Sequence, residues 1–117
     1  SGLKYIKVKK GTGVVVAKEK EIFTHIVLTN LKGKKIWTTR EKSERSGKVE
    51  TFDFIYGKTA LIKGFNEGVG LMRKGDRFTF ILPPNIAYGE KGQGADIPPN
   101  TTLVFDIEII DVKEFVR

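Results

Sequence analysis

The sequence predicts an α+β domain, a curved antiparallel sheet of five to six strands (a half-barrel) wrapped around one short helix. Two observations carry this. Apolar and polar residues alternate with period two in six separate segments, the mark of half-buried antiparallel strands. Residues 57–76 alone change to helical spacing. The length of 117 residues predicts a single domain over 1–117, large enough to bury a core without staples.

In chain order, residues 5–10 (YIKVKK) set Ile6 and Val8 against lysines. Residues 21–28 (EIFTHIVL) are rich in β-branched and aromatic residues, which suit a pleated surface. Residues 34–39 (KKIWTT) are short and read as an edge. Residues 50–56 put Phe52, Phe54 and Tyr56 on one face. In 77–83 the shared face is Phe78, Phe80 and Leu82, and in 102–110 it is Leu103, Phe105, Ile107 and Ile109. Val104, Asp106 and Glu108 then point the other way. Within 57–76, Leu61, Phe65, Val69 and Met72 form one helical face, yet Gly64, Gly68 and Gly70 are poor helix formers. Glycines there make sense if the helix backbone must lie close to a sheet. RKGD (73–76) reads as a basic last turn with a glycine stop.

Composition excludes several functions. With 39% hydrophobic and 30% charged residues the chain is globular. No apolar run approaches the roughly 18 residues a bilayer span needs. There is no cysteine, hence no disulfide, thiolate metal site or cysteine nucleophile. His25 is the single histidine, too few for a zinc site, and its plain reading is an ordinary strand residue. Neither the phosphate-loop nor the dinucleotide fingerprint occurs. The net charge of +7 raises nucleic acid as a partner, but no recognition motif accompanies the lysines, so no nucleic acid is expected. Neither a metal nor a cofactor is expected. Ser1-Gly2 reads as a cloning remnant; if a targeting segment was trimmed, the cell envelope is favoured over the cytoplasm.

What remains is a stock of aromatic and aliphatic residues, Trp37, Phe52, Phe54, Leu61, Ile62, Phe65, Tyr88, Ile97 and Phe105, beside the loop 87–100 (AYGEKGQGADIPPN). An apolar pocket with one phenol and a few backbone N–H groups suits rotation about an X–Pro bond. That barrier is about 18–20 kcal/mol because resonance stiffens the C–N bond. No bond is made or broken, so no nucleophile is required. The twisted amide has less charge separation than the planar one, and a dry pocket favours it.

Residues 61–109 resemble the FKBP-type peptidyl-prolyl isomerases, which bind tacrolimus and rapamycin. The resemblance rests on YGK…LIKGFNEGV, on G-x7-P-x3-AYG and on IPPNTTLVFDIE, and extends more weakly back through GKKIWTTRE and ETFDFIYGK. It implies the same fold as the periodicity does. It further implies a pocket whose floor is Phe65, where the family usually has tryptophan, with walls from Phe52, Leu61, Ile62, Ile97 and Phe105. The Ile62 N–H and the Tyr88 hydroxyl would hold ligand carbonyls. The loop 87–100 becomes a flap, its glycines giving mobility and close approach, with Gln93 beside the substrate's flank. Phe65, Ile62, Tyr88 and Phe105 are the residues implied in catalysis.

Two departures bear on turnover. The family's tyrosine-threonine-glycine run reads Leu28-Thr29-Asn30 here, and its phenylalanine-aspartate pair reads Ile36-Trp37. Ile36 and Trp37 are accordingly expected to bind substrate without that carboxylate, with activity measurable but open to reduction. The expected partners are proline-containing polypeptides and macrolide immunosuppressants, and the expected state is a monomer. The alternative is a proline-peptide binding or chaperone module with weak or no turnover.

Overall fold

The computed structural model describes residues 1–115, so the end of the expected 1–117 span lies outside the described residues. Six strands form one antiparallel sheet: β1 (Lys4–Lys9), β2 (Lys20–Asn30), β3 (Lys35–Thr38), β4 (Phe52–Ile55), β5 (Arg77–Leu82) and β6 (Leu103–Glu114). The order is β1-β5-β6-β2-β3, with β4 also pairing β2. β2 and β6 form the spine of the sheet, pairing from Lys20↔Glu114 to Asn30↔Leu103. β4 pairs Glu21–Thr24 and β3 pairs Val27–Thr29, so the two are halves of one broken edge, and the chain leaves the sheet between them.

The period-two reading places the inner face correctly on three strands. Phe54, Phe78, Phe80, Leu82, Leu103, Phe105, Ile107 and Ile109 are all buried. On β2 the inward set is Ile22, Thr24, Ile26 and Leu28. Thr24 tolerates burial because its hydroxyl donates to the Phe52 carbonyl at 2.8 Å. β1 corrects the expectation for its own face. Ile6 and Val8 are 63% and 57% exposed, and Tyr5 is the inward residue. Pairing decides this: Tyr5 lies opposite Phe80 and Lys7 opposite Phe78, so both take the face of those two rings. Tyr5 stacks on Phe78 at 5.7 Å, and the Lys7 amine lies 5.7 Å from the centre of that ring.

Among the described residues there is one α-helix, α1 (Lys63–Val69), and it is shorter than the apolar spacing suggested. Leu61 precedes it and Met72 follows it, though Met72 is still buried. Close contact with the sheet sets this geometry. A Cβ on Gly64 would lie 2.6 Å from the Leu82 side chain, and one on Gly68 would lie 2.9 Å from the Phe80 ring. The expected stop at 73–76 is instead a separate turn. There Gly75 takes φ +95° and the buried Asp76 carboxylate accepts the N–H groups of Gly11 (2.7 Å) and Arg73 (2.8 Å). That carboxylate ties the residues after β1 to the turn entering β5.

Candidate active site

Where α1 begins, the sheet and helix diverge and leave a hollow of about 430 Å³. Its walls come from four strands, the helix and the flap: Ile26 and Leu28 of β2, Trp37 of β3, Phe52 of β4, Ala60 to Ile62 and Phe65 around the helix start, Tyr88, and Phe105 of β6. Each arrives by the parity of its strand. Leu28 lies opposite both Trp37 and Phe105, so one inward position on three neighbouring strands faces the same space.

Phe65 is the hub. It is only 4% exposed and meets Phe54 at 5.6 Å, Phe105 at 5.5 Å and Phe52 at 6.2 Å, all edge to face. Edge-to-face contact puts positive ring edges on negative ring faces and fixes the tilt of each ring. Trp37 continues the set, meeting Phe52 at 5.6 Å and 90°. With 42% of its surface exposed, Trp37 is the outer lip of the hollow.

Polar groups in the lining are few. Ile62 is the N-cap residue of α1; its carbonyl accepts the Asn66 N–H at 3.1 Å. Among the described residues none accepts the Ile62 N–H and none pairs with the Tyr88 hydroxyl. No carboxylate, amine or imidazole lines the hollow. The site can therefore hold an apolar group and offer two hydrogen bonds, with no acid–base pair at hand.

Of the residues singled out in the sequence, Tyr88, Phe105, Phe65, Ile62, Phe52, Leu61 and Trp37 come together here. Ile36, Ile97 and Gln93 do not line the hollow. Ile36 has no opposite residue on β2, because the register jumps from Trp37 to Lys35. Ile97 is buried as an anchor of the flap, and its carbonyl accepts the Gln93 N–H at 2.7 Å while the Gln93 side chain is exposed. The flap glycines serve turns and close approach. Gly89, Gly92 and Gly94 all have positive φ, and a Cβ on Gly92 would lie 2.3 Å from the Ile97 carbonyl oxygen. Sequence reasoning missed Ile26 and Ala60, and singled out Leu28 only as the departure at the family's tyrosine position. Alternation puts Ile26 and Leu28 on the inward face of β2, but the pairing of β2 with β3 and β6 is what brings them to the hollow.

The ionisable groups cluster instead on the outer face of the sheet. Arg40 donates to Glu108 at 2.8 Å, and Arg77 grips Asp106 with two bonds of 2.9 and 3.2 Å. The Arg40 hydrogen bond holds the Glu108 carboxyl below its ordinary range, and the Asp106 bond raises Arg77. His25 lies opposite Glu108 on this face, its Nδ1 3.0 Å from the Thr39 hydroxyl oxygen. Burial, helped by Arg40, lowers its pKa. The histidine is thus an ordinary strand residue, on the opposite face of the sheet from the hollow.

Comparison with known proteins agrees with this geometry. The family model described as FKBP-type peptidyl-prolyl cis-trans isomerase matches residues 13–110. FK506-binding protein 1 of Dictyostelium discoideum is 33% identical over 112 residues, covering 96% of this chain and 99% of that protein. The "Probable FKBP-type peptidyl-prolyl cis-trans isomerase FkpA" of Neisseria meningitidis is 36% identical over 113 residues, covering 96% of this chain but 38% of that one. The crystal structure of FkpA from Escherichia coli superposes with a TM-score of 0.81 at 33% identity, covering 97% of this chain and 49% of that one. The chain thus spans less than half the length of either FkpA protein. A matching family model across most of the sequence, and a relative of nearly the same length that is matched almost end to end, place this chain in the FKBP-type peptidyl-prolyl cis-trans isomerase family.

Proposed function

We propose that this isomerase domain binds the X–Pro unit of a polypeptide in the hollow between α1 and the sheet, and holds the imide half-turned. The observation that carries the reading is an apolar space of about 430 Å³ with two unpartnered donors, the Ile62 N–H and the Tyr88 hydroxyl, and no ionisable wall. Phe65 forms the floor under the prolyl ring, with Phe105, Phe52 and Leu61 at its sides. The two donors take the carbonyls that flank the turning bond and fix its ends. Trp37 and Tyr88 limit water at the mouth. Gln93 reaches the substrate's flank from the flap that Ile97 anchors.

The chemistry follows from the amide. Rotation removes resonance and leaves a less polar C–N bond, so an apolar enclosure costs the twisted state less than the planar one. A ten-thousandfold acceleration needs only about 5.5 kcal/mol of such preference, a fraction of the barrier. Members of the FKBP family bind proline-containing peptides and macrolides such as FK506. The same hollow is the place for either in this chain. An NMR exchange or protease-coupled assay on a proline tetrapeptide tests the reading. Exchange no faster than in buffer alone refutes it.

A second reading, proline-peptide binding with little turnover, draws on Leu28 and Trp37. They stand in the hollow wall where the family pattern carries a tyrosine and a carboxylate. It expects tetrapeptide affinity without rate enhancement, so the same titration separates the two.

A further inference from the structure

We infer that a polypeptide substrate continues from the hollow into a second groove and there pairs, backbone to backbone, with the outer edge of β3. The inference rests on the substrate reading just given. The groove encloses about 650 Å³ between β3 and the excursion that follows it. All four residues of β3 line one side; Lys42, Arg45 and Glu50 are on the other. Trp37 and Phe52 line both spaces. Their edge-to-face pair is a shared ridge, so a chain crossing it out of the hollow meets β3 next.

The edge is open. β3 ends the strand order, and among the described residues no strand lies beyond it. The Thr39 N–H donates to the Ile26 carbonyl at 2.9 Å and the Ile26 N–H donates to the Thr39 hydroxyl at 2.8 Å, so both residues turn their backbone bonds toward each other and stand at a hydrogen-bonded position of the ladder. Antiparallel pairs alternate, so Val27 and Thr38 form the pair without mutual bonds. The Thr38 N–H and C=O therefore point away from β2, toward the groove. An exposed strand edge of this kind is a template for an added strand, in which main-chain bonds supply affinity. The irregularity at Ile36 keeps the pairing short.

Charge argues for an extended main chain as the occupant. The rim mixes Lys42 and Arg45 with Glu44 and Glu50, and Lys35 is already paired with Glu41. Such a rim draws neither an anion nor a cation, and it tolerates varied side chains. Backbone pairing is sequence-tolerant in the same way.

The test compares a proline tetrapeptide with the same core extended by five residues on its amino side or on its carboxyl side. A third set carries N-methyl groups on alternate residues of the extension, which deletes donors from the peptide and leaves the protein untouched. One extended form is expected to bind about tenfold more tightly than the tetrapeptide, the yield of two net backbone hydrogen bonds. It should shift the Thr38 amide resonance, and N-methylation should return both affinity and shift to the tetrapeptide's. Equal affinity for all lengths, or no effect of methylation, overturns the inference. Turnover of the tetrapeptide reports on the hollow by itself, so failure of the groove and failure of the isomerase reading give different results.

Discussion

Gly64→Ala tests how closely the helix must approach the sheet. A Cβ at this position would sit 2.6 Å from Cγ and Cδ2 of Leu82 and 2.9 Å from the Ile86 carbonyl oxygen. Leu82 can change rotamer, but it is fully buried, and the carbonyl cannot rotate away. Overpacking of this kind costs about 1–3 kcal/mol, and the backbone atom puts this site toward the upper end. Alanine returns part of that through helix propensity, at most about 1 kcal/mol and less at the second residue of a helix. The net expectation is a loss of about 2 kcal/mol. With an m-value near ~1.3 kcal/mol/M, the urea midpoint should fall by about 1.5 M. Activity should fall as well, because lifting α1 off β5 moves Phe65, the next residue, into the hollow it floors. Gly33→Ala, in the turn between β2 and β3, is the control: nothing lies within 4 Å of its Cβ, and only its φ of +85° opposes the change. That control should cost about 1 kcal/mol and leave the rate unchanged. A Gly64→Ala protein as stable as the parent would refute the close-packing account of the glycines.

Tyr88→Phe should lower kcat/KM about tenfold, the worth of one hydrogen bond, without moving the urea midpoint, since the hydroxyl has no partner in the free protein; an unchanged rate removes the phenol from the mechanism. Asp76→Asn should cost about 2 kcal/mol by weakening two charge-assisted bonds to Gly11 and Arg73, measured as a lower urea midpoint with normal kcat/KM per folded molecule. Because no ionisable acid or base of neutral range lines the hollow, kcat/KM should be flat between about pH 5.5 and 8.5, and a bell-shaped profile would contradict the mechanism. Glu108→Gln should make the acid limb of stability shallower. The depressed Glu108 carboxyl stabilises the fold fully above its unfolded value, and that contribution is lost as pH falls through the folded one.

Much of this protein could be read from its sequence because period-two alternation is a direct image of one buried face. Phe78, Phe80, Leu82 and the inward set of β6 needed nothing else. Where the sequence misled, long-range pairing had decided the outcome. Ile6 and Val8 look like the inward residues of β1, but the register against β5 assigns that role to Tyr5 and Lys7. The helix was read too long because Leu61 and Met72 continue its spacing from flanking turns. The hollow was legible through Phe65, Tyr88 and Phe105, which belong to the stock of apolar residues beside the loop 87–100 and to which the family resemblance gave roles. Leu28 and Ile26 needed strand order, since only the pairing of β2 with both β3 and β6 carries them to the same space. Asp76 was invisible, because nothing local says that a carboxylate after a glycine will be buried to hold the N–H of Gly11, 65 residues away, as well as that of Arg73 in its own turn.

The sheet divides the protein's chemistry between its two faces. Period-two geometry sends Phe105 and Ile107 inward and Asp106 and Glu108 outward from one strand, so charge and hollow are kept a sheet's thickness apart. The outer pairs make stability depend on pH. Glu108 lies below its ordinary range, and His25 lies below the ordinary value of about 6.5. Both shifts mean that the unfolded chain binds more protons, so stability rises with pH across each titration and declines toward acid. On the proposed mechanism the inner face gives the rate no such dependence, because rotation about an X–Pro bond transfers no proton. The acid loss of activity should therefore track the loss of folded protein, with kcat/KM per folded molecule constant. A rate that fell before the fold did would place an ionisable group in the catalytic step, and the separation of the two faces would no longer explain the enzyme.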